Sequence, residues 1–119
     1  MIGIDIEEVA RFENKTDEFY KRIFTLDEIK YAEKFDKKAE RFAGMFCAKE
    51  AVMKAISVQI EKMSFQDIEI THAQNGKPVV VLKNLVKEIF ESINAKSVEI
   101  SVSHTSKTAV AICFINQSC

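Results

Sequence analysis

The sequence predicts an α+β domain in which an antiparallel sheet with hairpins packs against a long central helix. Three observations support this prediction. Apolar residues recur at helical spacing from Ala39 to Ile56, the clearest helical pattern in the chain. Asn75-Gly76, the strongest short signal of a tight hairpin turn, joins two strand-like segments. Two further strand-like segments flank the polar connection at 103–107, and this use of hairpins argues against a doubly wound sheet.

The N-terminal third is predicted to contain one strand and two helices. Isoleucines alternate with other residues over 2–6, which predicts a strand that carries Asp5 on its opposite, polar face. A helical pattern follows from 8 to about 24. Thr25 precedes two acidic residues, and this order is typical of the N-cap of a second helix.

Five shorter elements are predicted after the central helix, and an irregular segment at 57–64 precedes them. The last element is apolar without a break, which is typical of a strand buried on both faces. In chain order the five are a strand at 65–70, a strand at 79–82, a helix at 84–93, a strand at 98–102 and a strand at 108–114.

The composition is that of a single globular domain covering residues 1–119. The chain has 17 Lys plus Arg, 18 Asp plus Glu and a net charge of −1, and 47% of its residues are hydrophobic. That balance excludes a disordered chain, and it does not support nucleic-acid binding, which usually shows as a strongly basic domain. No apolar run approaches the ~18–20 residues needed to cross a bilayer, so no membrane association is expected.

The N-terminus and the cysteines predict a cytoplasmic protein. The chain has no basic region before its first apolar residues and becomes charged at once, unlike a secretory signal. Cys47, Cys113 and Cys119 are odd in number and match no zinc spacing. We therefore expect free, mostly buried thiols in a reducing compartment.

Two carboxylates occupy unusual positions. Asp5 interrupts a strand, and Glu50 lies on the shoulder of the apolar stripe of the central helix. Together they would suit Mg²⁺, which takes one or two protein carboxylates and fills its octahedron with waters and phosphate oxygens. Each has an ordinary alternative. Asp5 could cap a helix or lie on an edge strand. For Glu50 alone, a side chain that reaches out to solvent or forms an ion pair, for example with Lys54, is favoured by about two to one.

Lys54 and His104 are candidate phosphate contacts. Lys54 lies one turn from Glu50 and could neutralise charge on a phosphate leaving group, or it could simply pair with Glu50 on the helix surface. His104 lies in the polar connection at 103–107, whose hydroxyls and backbone N–H groups could cradle a phosphate. An ordinary polar turn fits that segment equally well.

Basic residues concentrate locally despite the neutral total. Arg11 follows the first strand, and Lys37, Lys38 and Arg41 lie around the start of the main helix. They could face a polyanionic ligand or an acidic protein. A solvated face is the ordinary interpretation of such a cluster.

Four segments of the chain form a recognisable set when they are taken in order. They are Gly3-Ile4-Asp5-Ile6, then Phe42-Ala43-Gly44 with Phe46-Cys47-Ala48-Lys49-Glu50-Ala51, then Phe65-Gln66-Asp67-Ile68-Glu69-Ile70 with Asn75-Gly76-Lys77-Pro78, and finally Val102-Ser103-His104-Thr105. This set resembles the bacterial holo-acyl-carrier-protein synthase family of 4′-phosphopantetheinyl transferases. The resemblance runs from residue 2 to about residue 115, and four motifs in register are far more specific than one.

The resemblance implies a specific reaction. Members of the family transfer the 4′-phosphopantetheine arm of coenzyme A to a serine of apo-acyl carrier protein. They release adenosine 3′,5′-bisphosphate, require Mg²⁺ and support fatty acid biosynthesis. The resemblance implies Asp5 and Glu50 as metal ligands, and Lys54 as a third catalytic residue near the leaving phosphate. It leaves open whether a water or a carboxylate accepts the proton of the serine.

The resemblance also implies binding partners. Lys49, His104 and Thr105 are expected to contact coenzyme A, and Arg11 is expected to face the acidic helix of the carrier protein. Members of this small class form homotrimers with active sites at the subunit interfaces. One subunit of this size is too small to enclose coenzyme A alone.

Two positions depart from the family pattern. Relatives commonly have a basic residue where this chain has Met45, and a glycine-containing loop where this chain has 57–62 without glycine. These departures are the only support for a second hypothesis, a non-catalytic binding module of the same fold. A third hypothesis is a small Mg²⁺ phosphohydrolase that uses the same two carboxylates with water as the acceptor.

Overall fold

The computed structural model describes residues 1–57 and 63–118, so most of the irregular segment predicted at 57–64 lies outside the described residues. No helix in these two ranges has the length and apolar content to cross a membrane. In chain order the elements are β1 (Ile2–Glu8), a 3₁₀ turn (Val9–Phe12), α1 (Asp17–Ile23), α2 (Leu26–Glu33), α3 (Lys38–Ile56), a second 3₁₀ turn (Phe65–Asp67), β2 (Ile68–His72), β3 (Pro78–Leu82), α4 (Asn84–Ser92), β4 (Ala95–His104) and β5 (Thr108–Gln117).

The strands form two antiparallel sheets. One has the order β1-β5-β4, with β5 in the centre, and the other is the β2–β3 pair. Both β2–β3 and β4–β5 are hairpins. Gly76 in the first hairpin has a φ of 87°, which favours glycine because it carries no Cβ. The predicted α+β class and the hairpin at Asn75-Gly76 are both confirmed.

The predicted central helix is α3, which is buried along most of its length. It packs against β1 and β5 and also contacts β4, β2 and α2. From Phe42 to Ile56 every residue is buried except Glu50, which is half-buried, and Lys54, which is exposed. The two polar exceptions on the helix are therefore two of the residues that the sequence analysis selected.

The single helix predicted over 8–24 is wrong. The chain forms a 3₁₀ turn, passes through Asn14 in the left-handed region with a φ of 53°, and then begins α1. Four consecutive polar residues at 13–16 explain the break, because they offer no apolar face to bury. The hydroxyl of Thr16 then caps α1. The predicted cap of the next helix is confirmed, since Thr25 forms a capping box at the start of α2.

The strand predicted at 65–70 begins three residues later than expected. Phe65–Asp67 form a 3₁₀ turn, and β2 begins at Ile68. The hydroxyl of Ser64 accepts a hydrogen bond from the backbone N–H of Gln66, so it caps this turn locally. A short hydroxyl-capped turn therefore replaces the first part of the expected alternation.

β1 packs on α3 with the face that the sequence analysis took to be polar. Asp5 is only 7% exposed, whereas Ile2, Ile4 and Ile6 on the opposite face are each at least 60% exposed. The cause is a close approach between the two backbones. A Cβ on Gly3 would lie 2.0 Å from the carbonyl oxygen of Ala51, so only the face that carries Gly3 fits against the helix.

β5 is buried on one face only, so the prediction of burial on both faces is wrong for the single chain. Ala111 and Cys113 are buried on its inner side, whereas Ile112 and Phe114 are 41% and 51% exposed. Ile112 and Phe114 lie opposite Ile4 and Ile2 of β1. We call this apolar surface, formed by Ile2, Ile4, Ile6, Ile112 and Phe114, the outer face of the sheet.

The thiols of Cys47 and Cys113 are free and buried, as predicted. Burial raises the pKa of each thiol to about 12. Cys119 lies outside the described residues.

A fully buried ion pair joins α2 to α3. The Lys49 ammonium donates hydrogen bonds to Glu28 Oε1 at 2.8 Å and to the carbonyl oxygens of Phe65 and Ile68 at 2.9 and 2.8 Å. The other carboxylate oxygen of Glu28 accepts a hydrogen bond from the backbone N–H of Ile70 at 2.8 Å. All three ammonium protons are thus bound within the protein, which offsets the cost of burying the charge.

We expect Gly3→Ala to lower the free energy of unfolding by about 3 kcal/mol or more, because the added Cβ meets the α3 backbone. Gly44→Ala is the matched control. Its Cβ meets only the side chain of Val102, at 3.2 Å, and alanine favours a helix over glycine by about 1 kcal/mol. Urea unfolding followed by circular dichroism measures both variants. Equal stabilities would contradict the close packing of β1 on α3.

Lys49→Met is expected to lower the free energy of unfolding by about 3–5 kcal/mol, because it leaves the buried Glu28 carboxylate without its counter-ion. Adding Glu28→Gln removes that charge and should recover part of the loss. Urea unfolding of the single and double variants measures the effect. A double variant less stable than Lys49→Met would show that the unpaired charge is not the cause.

Candidate active site

The site is centred on Asp5 of β1, whose side chain meets that of Lys54, an exposed residue of α3. Asp5 Oδ1 accepts a hydrogen bond from the Lys54 ammonium at 2.9 Å. Asp5 Oδ2 is buried and has no hydrogen-bond partner among the described residues. Because a buried carboxylate oxygen without a partner is costly, this atom is well suited to coordinate a cation.

Glu50 is the second carboxylate of the site. Burial and the nearby charge of Asp5 together raise the pKa of Glu50, while Lys54 and Arg11 oppose that rise. The ordinary alternative for Glu50, an ion pair with Lys54, does not describe the structure, because Lys54 bonds to Asp5 instead. Glu50 is thus left half-buried beside another carboxylate, an arrangement that favours a bound cation.

Glu7 is a third carboxylate that the sequence analysis missed. Burial and the Asp5 carboxyl raise the pKa of Glu7 to about 7. Its position did contain a signal, since residues two apart on a strand share a face and Glu7 follows Asp5 at that spacing.

Asp5 and Glu50 fit a Mg²⁺ ion by their chemistry. They offer carboxylate oxygens, and Oδ2 of Asp5 has no hydrogen-bond partner in the part of the chain that the structure describes. Within residues 1–57 and 63–118, no group of three or more His, Cys, Asp or Glu side chains is arranged to hold a metal alone. Mg²⁺ needs only one or two protein carboxylates, because waters and phosphate oxygens supply its other ligands.

Arg11 lies at the rim of the carboxylate cluster. Its guanidinium bonds to the Glu7 carboxylate, and 55% of its side chain remains exposed. The guanidinium carbon lies 5.5 Å from the ring centroid of Phe46, which helps to hold it in place. Arg11 can therefore meet a partner at the surface while it stays next to the site.

His104 and Thr105 lie in a second part of the molecule, not beside the carboxylates. His104 Nδ1 is 3.1 Å from Glu40 Oε1, near the start of α3. Glu50 follows Glu40 by ten residues, which corresponds to roughly 15 Å along the helix. The cleft around His104 is lined by residues of α2, α3, the β2–β3 hairpin and β4, among them Tyr31, Arg41, Met45, His72, Pro78 and Val102.

Thr105 shapes the turn between β4 and β5. Its hydroxyl oxygen accepts hydrogen bonds from the backbone N–H groups of Lys107 and Thr108, at 3.2 and 3.1 Å. Thr105 therefore stabilises the turn, which is the ordinary role of a hydroxyl at such a position. The proton of that exposed hydroxyl is still available to donate to a ligand.

The expected contact between Lys49 and coenzyme A does not fit the structure. Lys49 is fully buried, and its three ammonium protons are bound to Glu28 and two backbone carbonyls. Although Lys49 adjoins Glu50 in sequence, successive helical residues point about 100° apart, so its side chain is directed into the core. We therefore remove Lys49 from the candidate ligand contacts and assign it to the fold.

Met45, where relatives commonly have a basic residue, is buried and lines the second cleft. Met45 is 3% exposed. Arg41, one turn earlier, lines the same cleft, and its guanidinium carbon lies 4.0 Å from the ring centroid of Phe35. Lys37 and Lys38 are exposed, which agrees with the ordinary interpretation of a solvated face.

Comparison with known proteins identifies relatives over almost the whole chain. The family model of the 4′-phosphopantetheinyl transferase superfamily matches residues 1–113. The holo-[acyl-carrier-protein] synthase of Clostridium tetani is 39% identical, over 99% of this chain and 96% of that protein. The holo-[acyl-carrier-protein] synthase of Caldicellulosiruptor saccharolyticus is 46% identical, over 92% of this chain and 90% of that protein.

Solved structures agree with these matches. The crystal structure of Helicobacter pylori holo-[acyl-carrier-protein] synthase in complex with coenzyme A has a TM-score of 0.83 at 33% identity, covering 98% of this chain and all of that one. The enzyme of Bacillus anthracis, in complex with CoA (3′,5′-ADP), has a TM-score of 0.81 at 35% identity, covering 98% and 96%. Sequence and fold together show that the chain belongs to the 4′-phosphopantetheinyl transferase superfamily.

Proposed function

We propose that this chain transfers the 4′-phosphopantetheine arm of coenzyme A to a serine of apo-acyl carrier protein, in a Mg²⁺-dependent reaction that supports fatty acid biosynthesis. The observation that carries the proposal is the buried, partner-free oxygen of Asp5 beside Glu50. The relatives named holo-[acyl-carrier-protein] synthase, and the solved relative in complex with coenzyme A, support the choice of substrates.

The reaction exchanges the pyrophosphate bond of coenzyme A, a phosphoanhydride, for a phosphodiester on the carrier protein. The serine hydroxyl of the carrier protein attacks the β-phosphorus of coenzyme A and forms a new O–P bond. The pyrophosphate P–O bond breaks, adenosine 3′,5′-bisphosphate leaves, and the serine proton passes to a water or a carboxylate. A bound Mg²⁺ would offset the negative charge on the pyrophosphate.

Each proposed role follows from where the side chain lies. Asp5 and Glu50 would hold the metal, and Lys54, which is 48% exposed, would meet the leaving phosphate. Arg11, exposed at the rim, would face the acidic helix of the carrier protein, and this contact would weaken with added salt. His104, which lines the second cleft, and Thr105, which follows it in the turn, would contact phosphates of coenzyme A.

We also propose that the active unit is a homotrimer in which neighbouring subunits complete each site. Two features support it. Within one chain the carboxylates and His104 are separated by roughly 15 Å of α3. The outer face exposes three isoleucines of β1 next to Ile112 and Phe114. Exposed apolar patches of this kind are typical of subunit contacts.

A cytoplasmic location remains part of the proposal. Cys47 and Cys113 are free thiols, and free thiols are typical of a reducing compartment.

Glu50→Gln is expected to lower the rate of transfer on the order of 100-fold or more while leaving the fold intact, because it removes one metal-binding charge. Glu88→Gln, an exposed change of the same type on α4, is the control. The measurement is the mass gained by apo-acyl carrier protein with coenzyme A and Mg²⁺. Transfer by Glu50→Gln at the rate of the control would show that the metal assignment is wrong.

Two side measurements separate the other hypotheses. Release of adenosine bisphosphate from coenzyme A without any carrier protein would support a phosphohydrolase. Metal-dependent binding of coenzyme A without any mass gain on the carrier protein would support a binding module.

Ile112→Lys is expected to convert trimers to monomers, because it places a charge in the centre of the outer face. Val81→Lys is the matched control, since Val81 is 40% exposed against 41% for Ile112 but lies on the other sheet. Sedimentation velocity measures the mass of each variant. A monomeric wild-type chain, or an Ile112→Lys variant that remains trimeric, argues against the proposed assembly.

A further inference from the structure

Lys54 makes a contact that the proposed reaction does not use. Its ammonium is 2.9 Å from Asp5 Oδ1, and the two side chains differ sharply in exposure, 48% for Lys54 against 7% for Asp5. We propose that Lys54 occupies the cation position at Asp5 in the metal-free chain and leaves it when a divalent cation binds. This inference rests on the proposed metal site.

The balance of charge around Asp5 explains why a cation such as the Lys54 ammonium is needed there in the metal-free chain. Glu7 and Glu50 are two further carboxylates near Asp5, and the Asp5 carboxylate helps to raise the pKa of each. Lys54 and Arg11 are the basic side chains that face them from α3 and from the 3₁₀ turn. With all five groups ionised, one negative charge remains, so the pocket without a metal is nearly neutral. Added positive charge therefore favours release of one of the two basic groups.

The contacts of the two basic groups indicate that Lys54 is the one to leave. Among residues 1–57 and 63–118, Lys54 makes one side-chain hydrogen bond, to Asp5, and reaches it from the exposed side of α3. Arg11 bonds to Glu7, and its guanidinium also lies over the rings of Phe12 and Phe46. A flexible ammonium with a single contact exchanges at lower cost than a planar guanidinium held on three sides.

The exchange would link metal binding to substrate binding. While Lys54 neutralises Asp5, the carboxylate holds its ammonium at Asp5 and takes up part of its charge. Once released, the same ammonium stays on the helix one turn from Glu50, where an anionic substrate group can recruit it. Lys54 therefore competes with the metal for Asp5, and after its release it can bind a phosphate of the substrate. Its removal should strengthen metal binding in the absence of substrate.

Calorimetric titration with Mg²⁺ alone, without coenzyme A, tests this competition. Lys54→Met should bind Mg²⁺ about tenfold more tightly than the wild type. The factor corresponds to the free energy of the one charge-assisted hydrogen bond with which Lys54 competes for Asp5. Arg11→Met is the matched control, because it also removes one positive charge next to the carboxylates, but that charge pairs with Glu7 and not with Asp5. It should change the affinity by less than about threefold. Equal tightening in both variants, or none in Lys54→Met, would overturn the proposal.

Amine acetylation measured by peptide mass spectrometry gives an independent reading on the wild-type chain. Saturating Mg²⁺ should raise the acetylation rate of Lys54 and leave that of Lys87, an exposed lysine of α4, unchanged. An unchanged rate at Lys54 would contradict its release. If the wild type binds no Mg²⁺ at all, the metal site itself fails, and the Lys54 proposal fails with it. Normal Mg²⁺ binding with no effect of Lys54→Met rejects the Lys54 proposal alone.

Discussion

The close approach of β1 to α3 is the constraint on which the rest of the structure depends. Gly3 has no Cβ, so the strand backbone can lie directly against Ala51 and Ala55 of the helix. Asp5, two residues later on the same face, is thereby pressed onto α3 beside Glu50 and Lys54. A larger residue at position 3 would lift the strand away from the helix and separate the two candidate metal ligands. The absence of a Cβ at Gly3 therefore determines both the packing of β1 on α3 and the position of Asp5 in the site.

The same approach accounts for the electrostatics of the site. Packing β1 onto the helix removes water from the carboxylates of Asp5 and Glu7 and places Asp5 near Glu50. A protein tolerates such crowding only where something compensates it, and perturbed carboxylates in a cluster are typical of functional sites. Here Lys54 and Arg11 provide compensation within the chain. The compensation is partial, because one oxygen of Asp5 still has no partner.

Local patterns in the sequence were enough to predict the central helix, the Asn75-Gly76 hairpin and the cap at Thr25, since short-range contacts determine each of them. They were not enough to say which face of β1 is buried, because that depends on contacts of Gly3 with Ala51 and Ala55, which are more than forty residues further along the chain. Lys49 shows the same limit. Its partner Glu28 is 21 residues distant, and nothing in the motif around Lys49 reveals that pairing. The separation of His104 from Glu50 likewise depends on a long-range contact, that of His104 with Glu40, which lies 64 residues earlier.

β1 connects the site to the surface proposed for assembly. Its seven residues alternate, so the face that presents Asp5 to α3 necessarily turns the isoleucines outward. β1 is also an edge strand of its sheet, paired only with β5. Under the proposed trimer, a neighbouring subunit that covers the isoleucines would hold this edge strand in place from outside, while Gly3 holds it from inside. The position of Asp5 would then depend on assembly as well as on the fold, because a strand cannot shift one face without shifting the other.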